Sequence, residues 1–309
     1  MLATGVAAAT GVGPVHLSIT DRRQAEVFYA DVLGLTAMRS SDPNVHFGAG
    51  QLELVVLHPC AEGPVQMERT GLYHLAIVVP NRRELARVVA RLDKLRYPNS
   101  PIDHISTKSD YLSDPDGNGI EIYAESPEDG TFGFANGMFV GADPNGNPRS
   151  GRDPIDLDEL FAELAEGDRL EQPIPAGSRM GHVHLHVRDL GEAVDFYHEL
   201  IGFDVMGVAE RVGAAFMSAG GYHHHLGLNT WAGKGVPPAE TGTAGLHHFT
   251  VEVPTADDLD AVRQRLRAGG VETSSEGVAG FMVEDPSRNR ALFRARRAPN
   301  VTMTAPVEA

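Results

Sequence analysis

Residues 13–35 read GPVHLSITDRRQAEVFYADVLGL and residues 181–203 read GHVHLHVRDLGEAVDFYHELIGF, one unit written twice. Each opens on alternating apolar residues, the period of a half-buried strand. Phe-Tyr and a following Leu or Ile then stand at helical spacing before a glycine stop. A second pair is GLYHLAIVVPNRRELARVVARLDKL at 71–95 and GLHHFTVEVPTADDLDAVRQRLRA at 245–268, again a strand feeding a helix. Downstream, DPDGNGIEIY at 114–123 answers DPSRNRALFR at 285–294, a turn leading into a final strand. The repeats alternate ABAB and define four modules, at 15–59, 72–125, 181–231 and 246–297. Each holds one helix and several strands, so the expected class is α+β. Two halves, 14–125 and 180–297, flank a Gly-, Pro- and Asp-rich connector at 126–179. One short helix is expected in it at 156–165, capped by Asp156 or Asp153. Residues 2–13 lack the basic start of a secretory signal and read as a loose N-terminal arm.

The composition narrows the function. A formal charge of −16 opposes phosphate binding, which needs clustered Lys and Arg, so neither nucleic acid nor an anionic membrane is an expected partner. No apolar run reaches the roughly 18 residues of a membrane span. The lone cysteine, Cys60, excludes an internal disulfide and is compatible with a reducing cytoplasm.

The segments GHVHLHVRDLGEAVDFY (181–197), YLSDPDGNGIEIYAE (111–125) and SAGGYHHHLGLNTWAG (218–233) resemble the bacterial catechol 2,3-dioxygenase branch of the vicinal oxygen chelate superfamily. The resemblance implies four βαβββ modules paired into curved-sheet cups that hold a metal. It places metal ligands on the first and last strands of a module, the first-strand ligand fourteen residues before the Phe of Phe-Tyr. That position is His182 in module three but Pro14 in module one. Module two offers His74 and Glu121; module four offers His248 but has Leu292 opposite Glu121. Modules two and three thus supply His74, Glu121 and His182, two imidazoles and one carboxylate, the set that leaves open positions for substrate and dioxygen on Fe(II). Mn(II) satisfies the same donor types. Modules one and four keep His248, with Glu53 a remote candidate, and read as a pseudo-site. The alternative is a three-histidine site of His182, His248 and one of His223, His224 and His225.

The same resemblance aligns His224 with an acid-base histidine, and Tyr111 and His104 with groups near the bound ring and oxygen. Strand alternation keeps His224 from sharing a face with both of its histidine neighbours. His16, His46, His58, His184, His186, His198 and His247 read as structural, and Trp231 as part of the cup wall. Arg82, Arg83, Arg87 and Arg91 read as the solvated face of a helix. The implied function is extradiol cleavage of a catechol-type substrate with O₂, and a homo-oligomer is compatible with it. Two rivals use the same scaffold: a glyoxalase-like isomerase or thiol transferase, and a metal-free binding or resistance protein.

Overall fold

The computed structural model describes residues 5–38, 43–275 and 280–296. Residues 2–4 of the expected arm and position 297 of module four lie outside these. The helices start where polar side chains meet orphan amides. Asp21 caps Arg22–Val27, Asp189 caps Leu190–Asp195, and Asn81 caps Arg82–Leu95. Thr255 and Asp258 close a reciprocal capping box on Ala256–Ala268. In both Phe-Tyr repeats the helix then widens into a π turn, Phe28–Val32 and Phe196–Ile201. There the buried hydroxyl of Tyr29 donates to Asp114 of the next module at 3.0 Å, and that of Tyr197 donates to Asp285 at 3.1 Å. The Asp-Pro turns and the Phe-Tyr helices are therefore two ends of one contact, made twice.

Two large mixed sheets result, each drawing one module from either half of the chain. In the first, Gly71–Val78 and Arg179–His186 run antiparallel at the centre. Gly119–Glu125 lies parallel beside Gly71–Val78, and Leu226–Asn229 parallel beside Arg179–His186. In the second, Gly11–Ile19 and Gly245–Val253 form the central antiparallel pair, flanked in parallel by Leu52–Pro59 and Arg290–Ala295. Modules two and three thus share one cup, and modules one and four the other. Alternation assigns the faces: Val183 and Leu185 are buried in the apolar core, while His182, His184 and His186 take the opposite face.

Three expectations need correction. The N-terminal arm is not loose from residue 5 onward, since Val6 packs on the core and donates its amide to Gly202, and the strand begins at Gly11. The connector holds more than a short helix. Asp156 caps that helix, Leu157–Ala162, but Thr131–Ala135, Met138–Ala142 and Pro148–Arg149 also build a three-stranded sheet. Its Phe132, Phe134 and Phe139 stack together and against Phe216 of the first cup. Nor do all four arginines form a solvated face, although Arg83 is exposed as expected. Arg87 and Arg91 are buried and donate to the carbonyls of Leu33, Leu170, Gln172 and Pro173, while Arg83 grips Asp168 with two bonds. The connector at 170–173 pairs with no strand, so its carbonyls need donors, and a guanidinium supplies five.

Candidate metal centre

Register puts three candidate ligands, two imidazoles and one carboxylate, around one small residue. Ala76 pairs with His182 across one side of its strand and with Glu121 across the other, and His74 stands two residues before it on the same face. A methyl group is all that fills the middle of the row, so the flanking side chains can converge above it. They do: His74 Nε2 and Glu121 Oε2 are 3.1 Å apart, His182 Nε2 and Glu121 Oε2 3.2 Å, and the two imidazole nitrogens 3.3 Å. All three residues are buried. Ligand atoms at right angles around an ion with bonds of about 2.1 Å stand about 3.0 Å apart, so this donor set fits a divalent cation. Burial would raise the Glu121 carboxyl, but the two histidines outweigh it and hold the group well below the usual carboxylate range. The site therefore presents a carboxylate and two imidazoles.

The expected supporting residues flank this triad on opposite sides. His104 Nδ1 lies 2.6 Å from the Gly151 carbonyl and must donate to it, which leaves Nε2 to accept from the Tyr111 hydroxyl at 2.9 Å. The Tyr111 ring sits 5.5 Å from that of His74. On the far side the His224 ring lies 4.1 Å from His182 and edge-on to Phe216. Burial, then His182 and His223, push the His224 imidazole well below its ordinary value, so it is neutral near pH 7.

Strand alternation does not govern the triple histidine, because the adjoining strand begins only at Leu226. Both His223 and His224 consequently approach His182, and these three form a second group whose ligand atoms lie within 4.8 Å of one another. His225 instead turns to Ser218, accepting at Nδ1 from its hydroxyl at 3.0 Å and from the Ala219 amide. His248 belongs to the other sheet, so the three-histidine set that includes it is not assembled. Glu53 is engaged by His46 at 2.5 Å. Trp231 bonds the Val212 carbonyl but is 43% exposed, so it lines an opening as well as a wall.

A profile of the Glyoxalase/Bleomycin resistance protein/Dioxygenase superfamily matches residues 11–122 and 179–293, more than half of the chain. The chain belongs to that superfamily. It is 38% identical over 280 residues to a catechol-2,3-dioxygenase of Bacillus subtilis (strain 168), covering 90% of this chain and 94% of the relative. Among solved structures, a candidate dioxygenase of Bacillus subtilis subsp. subtilis str. 168 superposes with a TM-score of 0.62 at 15% identity, over 96% of this chain and 87% of the other. Glyoxalase I of Zea mays does so with a TM-score of 0.56 at 14% identity, over 93% and 92%. At such identities the two structures support the fold, the vicinal oxygen chelate fold of this superfamily, and no particular chemistry.

In this superfamily member the second cup carries Pro14 and Leu292 at the positions matching His182 and Glu121, and it is filled by imidazoles. His16 and His58 share a hydrogen bond at 2.9 Å, and His247 and His248 one at 2.7 Å. The first pair stacks on the second, His16 on His248 at 3.8 Å and His58 on His247 at 4.3 Å. Burial, and then the neighbouring histidines, lower His16 to about 2, His248 to about 3 and His58 to about 4. Each folded-state pKa is depressed, so the stability is present above the unfolded value of about 6.5 and is lost as pH falls toward the folded ones. The unfolding free energy from urea titration should therefore drop between pH 7 and pH 5, by about 2 kcal/mol each for His16 and His248. A His16→Phe, His248→Phe double variant should flatten that dependence; an unchanged slope would show that the stack does not govern it.

Proposed function

We propose that the chain is an extradiol ring-cleaving dioxygenase: Fe(II) on His74, Glu121 and His182, a catechol-type substrate, and O₂. The observation that carries this reading is the convergence of one carboxylate and two imidazoles in the cup of modules two and three. The 38% identical relative supports it. Bound there, Fe(II) would supply a Lewis acid that lowers the proton affinity of a chelated diol, with open positions for dioxygen.

The chain's own residues do the rest. His224, neutral and beside His182, takes the proton that the diol gives up. Tyr111 stays a phenol, because burial and then the Glu121 carboxylate push its pKa well above 10. Its one hydroxyl proton, held at His104 in the resting site, swings to negative charge building on an oxygen near His74, giving up the bond to His104 as it does so. The connector's phenylalanines wall the cup against water beside His104 and Phe216.

Oxygen uptake is the deciding measurement. Anaerobically purified, Fe(II)-loaded protein should consume one O₂ per catechol and form a yellow hydroxymuconic semialdehyde. A glyoxalase-like isomerase would be indifferent to O₂, and a binding protein would turn over nothing.

A further inference from the structure

We infer that His184, which the reaction sketched above does not use, is a substrate-binding residue. With Tyr73 and Trp231 it forms a slot for the ring of a catechol bearing a hydrogen-bonding substituent, which its Nε2 engages. The inference rests on the dioxygenase reading and names a substrate feature within it.

Three histidines of Arg179–His186 face the same way. His182 is committed to the triad, and His186 Nδ1 meets Asn229 Oδ1 at 2.7 Å. Between them His184 is 4% exposed, and its buried Nε2 has no hydrogen-bond partner among the described residues. A buried polar atom left without a partner costs stability, so its retention points to a partner that arrives from outside. The surroundings say what kind. His184 stands directly across the sheet from His74, the rings 5.0 Å apart and perpendicular. Tyr73 meets it edge-on at 5.1 Å, Trp231 lies at 5.3 Å and Phe216 at 5.6 Å. These are the apolar and aromatic surfaces that hold a planar ring, with one polar atom among them to orient it.

Space and access agree. A Cβ on the adjacent Gly227 would stand 2.7 Å from the His184 ring, so any side chain there would displace it; the glycine serves the imidazole and not a turn. Tyr73 and Trp231 are 38% and 43% exposed and line a cleft of 1120 Å³ that also reaches His74 and Tyr111. His184 itself stands behind the Tyr73, His74 and Trp231 rings that line the cleft, so a substituent reaches its Nε2 where the two half-exposed rings, Tyr73 and Trp231, turn aside.

The test is an anaerobic titration of Fe(II)-loaded protein with 4-nitrocatechol, whose substituent accepts a hydrogen bond, and with 4-methylcatechol in competition. His184→Phe should keep its iron and its Tm and weaken 4-nitrocatechol by about tenfold or more, the scale of one lost hydrogen bond. It should change 4-methylcatechol by less than about threefold, and His184→Gln should recover part of the difference. Equal weakening of both probes, no weakening, or loss of iron from His184→Phe overturns the inference and leaves the dioxygenase reading standing. Failure of wild-type protein to bind either probe overturns that reading and the inference with it. Should His184→Phe not fold, the same comparison is made with His184→Asn.

Discussion

Glu121→Ala and His74→Ala are expected to emerge from anaerobic purification folded, free of iron and without ring-cleaving activity. Three ligand atoms at 3.1–3.3 Å make up this group among the described residues, and two of them cannot complete a facial set. The variants should nevertheless fold. Glu121→Ala removes the acid and leaves His74 and His182 facing each other at 3.3 Å, and His74→Ala leaves Glu121 bonded to His182 at 3.2 Å, so neither variant strands a buried group without a partner, which is the usual reason for collapse after breaking a buried pair. Iron content measured on the purified variants, with circular dichroism as the folding control, checks both statements. The neighbouring group of His182, His223 and His224 makes the opposite forecast: Glu121→Ala would stay loaded and His223→Ala would be empty. His248→Ala should keep full iron and lose stability, because His248 stacks on His16 in the other cup. An iron-free His248→Ala beside a loaded Glu121→Ala would reassign the centre altogether.

The parts of this structure that could be read from the sequence are those set by local period and by repetition. Alternation in GHVHLHV sends Val183 and Leu185 to the core and the histidines to the cup, and the doubled Phe-Tyr helix announces equivalent modules. Which modules face each other was legible only through chemistry, in Pro14 and Leu292 standing where a ligand is needed. What stayed hidden depends on distant partners. Arg87 and Arg91 have the spacing of a solvated helix face, and only the connector carbonyls some 80 residues away explain their burial. The connector's sheet was invisible for a similar reason: glycine-, proline- and aspartate-rich sequence has weak strand propensity, and its phenylalanines gain their meaning from Phe216. His184 has the parity of a ligand and the surroundings of a core residue. Its unmet nitrogen is a property of neighbours from several strands and loops, and no window of sequence holds them all.

His224→Phe separates holding the metal from moving the proton, and it is expected to keep one iron per chain while slowing turnover by about a hundredfold or more. The geometry divides the two roles. The His224 ring lies tilted against that of His182 at 4.1 Å and edge-on to Phe216, and among the described residues it belongs to no ligand group that includes Glu121. A phenyl ring replaces the imidazole in that pocket with little change of volume, so the triad and the fold should survive. The proton it handles should not. In the wild type, burial, His182 and His223 keep His224 well below 6.5, so the neutral base persists through mildly acidic pH and is lost only as pH falls toward its depressed value. The acid limb of the kcat profile should accordingly lie well below pH 6.5 in the wild type and lose the contribution of this group in His224→Phe, with KM changing much less than kcat. Iron determination and a kcat profile on the same preparation read both roles at once. If His224→Phe loses its iron, His224 is a ligand and the group of His182, His223 and His224 holds the metal; if it keeps both its iron and its rate, the proton leaves by another route.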